Sequence, residues 1–191
     1  MFNELLGEYY HNKWGVDFRS VRYPGVISSA KYAFNGTTDY STEIFFHALE
    51  TGAYKCWLPK DAALPMIYID DTIRATIQFL SADKSKLKRN VYNLAGISFT
   101  PEQLGVEVAK LIPGFKMTYD PCPVRSKIAA SWPRSLDDTY AQKEWGWNYG
   151  ATMYDLAHKI LDNIEPEYKK GKVLNMGGDN ITNKKGQRMQ H

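Results

Sequence analysis

Two tyrosine–lysine pairs in the chain have a spacing that can support proton transfer from an alcohol. Tyr9 precedes Lys13 by four positions, and Tyr168 precedes Lys172 by four. Residues four apart lie on the same face of a helix, and a nearby ammonium lowers the pKa of a phenol so that it can accept a proton. The pattern is short and often arises by chance. Because Tyr168 lies in a polar tail and Tyr9 near the end of a predicted helix, we predict that neither is catalytic and that Tyr9 is a core or interface aromatic.

Other common signatures of catalysis and cofactor binding are absent from the 191 residues. No G-x-G-x-x-G follows a predicted strand, and neither a Walker loop nor an H-E-x-x-H occurs. The cysteines, Cys56 and Cys122, are too few for a disulfide scaffold or an all-cysteine metal site. The histidines fall on separate predicted helices or in the tail: His11, His47, His158 and His191. We therefore predict no metal site.

The composition predicts a folded protein that contains one domain or part of a larger one. Hydrophobic residues make up 43% of the chain and aromatic residues 14%, which is more than a disordered chain would carry. No apolar run approaches the roughly 20 residues that span a bilayer, so no membrane association is expected. The first residues, MFNELLGEYYHNKWG, contain acids where a targeting signal would be basic.

The net charge of +3 is unevenly distributed along the chain. The residues from Lys169 onward carry +5, and the preceding 168 carry −2. The last residues are rich in Lys, Gly and Asn and show almost no apolar periodicity. We predict a folded region over residues 1–165 and a basic tail without regular structure over residues 166–191. We expect no nucleic-acid partner for this tail.

Hydrophobic periodicity and capping signals predict alternating strands and helices. Helices are predicted near the amino terminus, over Tyr40 to Glu50 with Thr37, Thr38 and Asp39 as caps, and from Asp70, Thr100, Ser135 and Thr152. Strands are predicted around 16–22, 54–58, 66–69, 90–94 and 115–119, with Tyr23-Pro24-Gly25 ending the first. This alternation indicates an α/β protein. The order is irregular after Gly96, which is typical of the latter half of a larger α/β enzyme.

Six longer strings occur in a fixed order and carry a resemblance to a known family. They are RSVRYPGVIS, GTTDY, PMIYIDDTIRATI, YNLAGISFTPEQL, SWPRSLDD and EWGW. From about Met1 to Ile164, the chain resembles the carboxy-terminal half of NAD-dependent L-threonine 3-dehydrogenases, which belong to the extended short-chain dehydrogenase and epimerase family. YNLAGISFTP and the SWP-x-S-x-DD string separate threonine dehydrogenases from sugar epimerases.

The resemblance implies the carboxy-terminal part of an NAD(P)-binding Rossmann-type fold that lacks the glycine-rich nucleotide-binding half. In the family, the catalytic Tyr-x-x-x-Lys opens the helix whose later part resembles Glu8 to His11, so the catalytic lysine would fall immediately before Met1. The glycine-rich loop, the ribose-binding acid and the catalytic serine or threonine would also lie upstream. The resemblance therefore assigns no catalytic residue within these 191 residues.

The remaining part of the family's site maps onto two short segments and one tryptophan. The turn that packs on the nicotinamide of NAD corresponds to Tyr23, Pro24, Gly25 and Val26, with Val26 as the expected contact. The residues that hold the amino-acid substrate at a helix start correspond to Thr37 and Thr38, and the tryptophan that covers the substrate corresponds to Trp132. Without the resemblance, these residues could equally form a turn that closes a strand, a plain N-cap and a packed corner.

The chain departs from the family beside the substrate. The family has Pro-Gly-Gly-Gly before Thr-Thr-Asp-Tyr, whereas this chain has Ala33-Phe34-Asn35-Gly36. The loss of a proline and two glycines changes the backbone freedom of a segment that the family uses for closure over the substrate.

Two functional hypotheses from different classes follow from the resemblance. In the first, the chain is the substrate-side half of an enzyme that converts L-threonine to 2-amino-3-oxobutanoate with NAD, and it is inactive alone. In the second, it is an inactive truncated homologue that acts as a dimerising or binding module, as a homodimer or paired with a full-length homologue. A sugar-nucleotide epimerase fragment fits the general fold but not the two distinguishing strings. The resemblance implies the cytoplasm or the mitochondrion as the compartment.

Overall fold

A computed structural model describes residues 2–30 and 36–164 of the chain. The helices are α1 (Phe2–Trp14), α2 (Tyr40–Thr51), α3 (Ile69–Leu80), α4 (Pro101–Leu111), α5 (Pro123–Ala130), α6 (Thr139–Trp145) and α7 (Met153–Asn163). The strands are β1 (Ser20–Arg22), β2 (Gly25–Ile27), β3 (Ala53–Cys56), β4 (Leu64–Tyr68), β5 (Val91–Asn93), β6 (Ile97–Phe99) and β7 (Lys116–Tyr119). The α/β class is confirmed. The predicted tail, 166–191, and most of the departing segment, Ala33 to Asn35, lie outside the described residues.

The strands form three small sheets that are mostly parallel. β1 pairs with β5 and β3 pairs with β7, both in parallel. In the sheet that matters most for the site, β2 pairs in parallel with β4, and β4 pairs antiparallel with β6. Because β2 and β4 run in the same direction, their carboxyl ends meet at one edge.

Two hydrophobic clusters hold these layers together. The larger one packs α2 against β3, β4, α4 and α7, with Phe45 and Met66 fully buried. The smaller one joins α3, β5 and α6 around Phe79, Tyr92 and Trp145. Their rings contact one another edge-on or tilted at 5.1–6.2 Å between centroids, a geometry that adds to the free energy gained by burial.

The helix starts that depend on a local motif are confirmed. Thr100 and Thr152 form complete capping boxes with Gln103 and Asp155, in which side chains and backbone N–H groups are reciprocally hydrogen-bonded. For the helix predicted from Ser135, the structure differs. It begins only at Thr139, whose N–H donates to the Asp137 carboxylate at 2.9 Å.

The predicted side-chain cap of α2 is wrong. Asp39 occupies the N-cap position, but its side chain makes no capping hydrogen bond to the helix. Its φ of −68° and ψ of −17° are already helical, whereas a capping side chain reaches the helix N–H groups from the extended region. The Asp39 carboxylate accepts instead from the N–H of Gly36.

Strand β2 was not predicted, and neither were β6 and α5. The predicted turn over Tyr23, Pro24 and Gly25 stops short, because Gly25 already belongs to β2. A strand of three residues has too little periodicity to be recognised, and its partner, β4, lies about 40 positions further along the chain.

Large apolar side chains are exposed on two helices. α1 has no buried residue, and its apolar positions are open to solvent: Phe2, Leu5, Leu6, Tyr9, Tyr10 and Trp14. On α3, helical spacing places Ile73, Ile77 and Leu80 on one face, and these side chains are also exposed, at 51%, 60% and 62%. The prediction of Tyr9 as a core residue is therefore wrong, and its alternative role at an interface stays a prediction.

Candidate functional site

The structure brings two of the predicted segments together at Gly25 and Thr38. A methyl group placed on Gly25 would lie 2.6 Å from Sδ of the buried Met66 and 3.1 Å from Cγ2 of Thr38. These distances are shorter than ordinary van der Waals contacts. A side chain at position 25 would therefore require Met66 and Thr38 to shift, and glycine lets β2 approach the residues that precede α2.

Strand β2 presents one side chain to the open side of the sheet. The exposed fraction of Val26 is 44%, whereas its neighbours Gly25 and Ile27 are buried. Pro24 is also buried. Among the four predicted nicotinamide-side residues, Val26 and Tyr23 are therefore exposed, at 44% and 41%, and Pro24 and Gly25 are buried. The contact of Val26 with the nicotinamide stays a prediction.

Tyr23 is directed to a different neighbour. Its hydroxyl lies 2.6 Å from Oγ1 of Thr76 on α3, and the Thr76 hydroxyl donates to the Thr72 carbonyl at 2.7 Å. This hydrogen bond fixes the link between β1 and β2 against α3. Whether Tyr23 also contacts a cofactor stays a prediction.

The backbone at Thr38 is held by a single serine. Both the N–H and the hydroxyl of Ser41 donate to the Thr38 carbonyl, at 3.1 Å and 2.7 Å. Thr37 and Thr38 are half-buried and lie in the turn that leads into α2. Their hydroxyls are thus attached to a fixed backbone at the amino end of a helix, where N–H groups favour an anion.

Two hydrogen bonds of hydroxyl groups, which sequence reasoning missed, hold the segment after β2. The Thr42 hydroxyl donates to the Ser28 carbonyl at 3.2 Å, and the Ser29 and Tyr68 hydroxyls are 2.8 Å apart. Tyr68 ends β4, so this contact lies where the carboxyl ends of the two parallel strands meet. In the sequence, the only signal for this hydrogen bond is the position of Tyr68 at the end of a strongly apolar strand.

A half-buried carboxyl group lies one turn into α2. Burial raises the pKa of Glu43 to about 7; the nearby Asp39 raises this pKa further, while the Tyr54 hydroxyl and the Arg125 guanidinium lower it. The Tyr54 hydroxyl donates to Oε2 of Glu43 at 3.3 Å. The Tyr54 ring contacts the ring of His47, with 5.2 Å between the ring centroids. Sequence reasoning missed Glu43 because its burial depends on elements that are distant in the chain.

The remaining predicted residue, Trp132, follows α5. Its N–H donates to the Ala129 carbonyl at 3.1 Å, and 37% of the residue is exposed. Its role as a cover over the substrate stays a prediction, as do the substrate contacts of Thr37 and Thr38.

The Tyr9–Lys13 pair has the contact that its spacing predicts, in surroundings unlike a catalytic site. Lys13 Nζ donates to the Tyr9 hydroxyl at 2.8 Å. Both residues lie on the exposed helix α1, where the Tyr9 ring packs edge-on against Tyr10 and Trp14.

Within residues 2–30 and 36–164, no group of three or more His, Cys, Asp or Glu could hold a metal ion. Over the same residues, no helix is both long and apolar enough to cross a membrane.

The residues present fit one end of a dinucleotide. Val26 supplies an exposed apolar contact beside the glycine that lets β2 approach Thr38, as a flat nicotinamide ring requires. A glycine-rich phosphate loop does not occur in the sequence. The residues at β2 are therefore compatible with a contact to the nicotinamide, which stays a prediction, and no residues of a glycine-rich pyrophosphate loop are present in the sequence.

Known proteins are similar to this chain in both sequence and fold. A comparison with protein-family models gives no match. The mitochondrial L-threonine 3-dehydrogenase of Bos taurus is 45% identical over 159 residues, which are 83% of this chain and 43% of the bovine protein. An uncharacterized epimerase/dehydratase of Staphylococcus haemolyticus is 50% identical over 155 residues, 81% of this chain and 48% of that protein. The crystal structure of L-threonine dehydrogenase from Phytophthora infestans superposes with a TM-score of 0.82 at 46% identity, covering 86% of this chain and 53% of that one.

By its fold, the chain is an α/β protein of the extended short-chain dehydrogenase and epimerase type, as predicted. Its homologues at 43–50% identity are L-threonine 3-dehydrogenases and members of the epimerase/dehydratase family, so the resemblance to L-threonine 3-dehydrogenases is confirmed. The chain spans about half the length of the relatives that it matches. This coverage fits the predicted match to a carboxy-terminal half.

Replacement of Gly25 by alanine should force β2 away from Thr38 and Met66. We expect the Gly25→Ala variant to lose about 1–3 kcal/mol of unfolding free energy, the typical cost of overpacking. Urea denaturation followed by tryptophan fluorescence measures this change. The matched control is Gly150→Ala, because no atom lies within 4 Å of a methyl group placed there. An equal effect of both variants would contradict a specific close approach at Gly25.

Replacement of Glu43 by glutamine should flatten the pH dependence of stability. Because the pKa of folded Glu43 is raised to about 7 from its usual value of 4.5, the folded protein keeps this proton while the unfolded chain releases it. The unfolding free energy should therefore fall between about pH 4.5 and 7, by at most about 3 kcal/mol. Denaturation at pH 5 and pH 8 checks this. Glu43→Gln should remove the fall, whereas Glu102→Gln at an exposed ion pair should retain it; an unchanged fall in Glu43→Gln would contradict the assignment.

Proposed function

We propose that the chain supplies the substrate-side part of an NAD-dependent L-threonine 3-dehydrogenase, an oxidoreductase that converts L-threonine to 2-amino-3-oxobutanoate. The observation that carries this proposal is the close approach of Gly25 to Thr38. It places the strand that bears Val26 beside the amino end of α2, so a cofactor ring and a small substrate can meet there. The identity to threonine dehydrogenases from cattle and Phytophthora infestans supports the choice of substrate.

Each predicted residue has a distinct task in this proposal. Thr37 and Thr38 bind the substrate carboxylate through their hydroxyl groups, with help from the helix dipole at the start of α2. Val26 packs on the nicotinamide and sets its distance from the substrate. Trp132 covers the bound amino acid and excludes water. When bound, NAD supplies the acceptor for the hydride of the substrate alcohol. These residues together orient the reacting carbon, and such orientation accounts for a large part of the rate enhancement in enzymes of this kind.

The proton of the substrate hydroxyl needs a base that these residues do not provide. Thr37, Thr38 and Val26 have no basic group, and the Tyr9–Lys13 pair lies on the exposed helix α1. A tyrosine–lysine pair from a nucleotide-binding part completes the reaction in this proposal. The exposed apolar side chains of α1 and α3 offer that part a surface on which to pack. The compartment proposed from the relatives is the mitochondrion or the cytoplasm.

The 191-residue chain alone should therefore not produce NADH from L-threonine and NAD. Co-expression with the amino-terminal half of the bovine enzyme should give activity, which NADH fluorescence measures. In that pair, Thr38→Val should lower kcat/KM about tenfold or more, because a hydrogen bond to a charged substrate is lost. The matched control, Thr118→Val, removes a hydroxyl from the exposed part of β7 and should not change kcat/KM. Turnover by the chain alone, or an inactive pair, would contradict the proposal.

A second candidate function is a dimerising or binding module. It is favoured by α1, where no residue is buried and Phe2 and Leu5 are 77% and 60% exposed. Such a surface is typical of a protein–protein contact. The partner would be a second copy of this chain or a full-length homologue.

Substitution of Leu5 by glutamate should abolish this association. A carboxylate buried in an apolar contact has no partner and is costly to desolvate. Light scattering coupled to size-exclusion chromatography should detect a dimer of the native chain and a monomer of Leu5→Glu. The control, Val106→Glu, places the same charge on α4, where Val106 is 55% exposed, and should remain dimeric. A monomeric native chain at high concentration would contradict the module.

A further inference from the structure

Three adjoining depressions surround one end of the β1–β5 sheet. Their volumes are about 660, 270 and 430 Å³, and Lys88 and Arg89 line all three. They lie between α1, β5 and the start of α6. We call them together the lysine groove. The largest depression alone has the size of a typical small-ligand site.

One end of the lysine groove is cationic. Lys86, Lys88 and Lys143 line the depression of 430 Å³, and all three are exposed. In the part of the chain that the structure describes, no carboxylate lies within ion-pair distance of them. Glu144 also lines this depression but is paired with Arg89. The three ammonium groups are therefore left to attract an anion with more than one negative charge, such as a phosphate monoester.

The backbone at Lys88 is fixed in place. The carboxylate of Glu144 accepts from the N–H of Lys88 at 2.8 Å and lies 3.4 Å from Nε of Arg89. The Arg89 guanidinium also stacks on Tyr140, 3.2 Å from the ring centroid. The side chain of Lys88 therefore extends from an anchored position, which lowers the entropic cost of binding.

The other end of the lysine groove accepts hydrogen bonds. Glu8 and Asp137 line the depression of 660 Å³ together with the amides of Asn12 and Asn93. Arg22, Lys88 and Arg89 line the same depression, and its carboxylates can accept hydrogen bonds from hydroxyl groups. A ligand that fits both ends has an anionic group attached to a body with several hydroxyls.

From these two ends, we propose that the lysine groove binds a phosphorylated sugar. The phosphate lies against Lys86, Lys88 and Lys143, and the sugar hydroxyls donate to Glu8 and Asp137. None of these residues belongs to the Gly25–Thr38 site. The proposal is therefore independent of the proposed dehydrogenase function and would stand if that function failed.

Isothermal titration calorimetry at low salt with ribose 5-phosphate, inorganic phosphate and ribose tests the proposal. Ribose 5-phosphate should bind with a Kd below about 1 mM and at least about five times more tightly than inorganic phosphate. The double variant Lys86→Gln/Lys88→Gln should weaken binding of ribose 5-phosphate about tenfold or more, because two of the three charges are lost. The Glu8→Ala variant should reduce its advantage over inorganic phosphate to less than about twofold.

A charge-matched control separates a built site from general attraction. Lys55→Gln/Lys60→Gln removes two lysines that form exposed ion pairs with Asp120 and Glu102, and it should leave the Kd within about twofold. No binding of ribose 5-phosphate would overturn the proposal. Equal weakening by both double variants would also overturn it, because only net charge would then matter. Thermal unfolding of each variant verifies that it is folded.

Discussion

The close packing of β2 against the residues that precede α2 depends on the missing side chain of Gly25. The position faces Met66 on one side and Thr38 on the other, both closer than a methyl group would allow. The parallel pairing of β2 with β4 fixes the register, so that Val26 is exposed while Gly25 and Ile27 are buried. A shift of one residue would turn Val26 toward the interior and a buried residue toward solvent. The identity of one small residue and one register therefore determine which side chain of β2 is exposed.

The features that the sequence predicted correctly are those set by nearby residues. Thr100 with Gln103 and Thr152 with Asp155 each need only four consecutive positions, and both capping boxes form. The apolar stripe of α7 follows from helical periodicity alone, and Leu156 and Ile160 are buried as it requires. The predicted cap at Asp39 had the right residue type but the wrong backbone conformation, which residue type alone does not determine.

The features that the sequence did not predict depend on distant contacts. Strand β2 exists because β4 pairs with it, and the hydroxyl contact of Ser29 with Tyr68 joins positions 39 residues apart. The burial of Glu43 likewise depends on Tyr54 and on Arg125 from α5. The resemblance to L-threonine 3-dehydrogenases predicted Gly25 and Thr38 as site residues without either contact, since a family motif carries the result of distant packing in a short string.

Short links join the two hydrophobic clusters on either side of the site. Only Tyr23 and Pro24 separate β1 from β2, and three residues separate β5 from β6. Both links end beside Met66. Gly25, which follows the first link, packs against the Met66 sulfur, and a methyl group on Gly96 in the second link would be 2.1 Å from the Met66 carbonyl oxygen. Both links are too short for one cluster to unfold while the other stays folded. The two clusters should therefore unfold in one cooperative transition, and hydrogen exchange at the amides of β2 and β4 should proceed by global unfolding rather than by local opening.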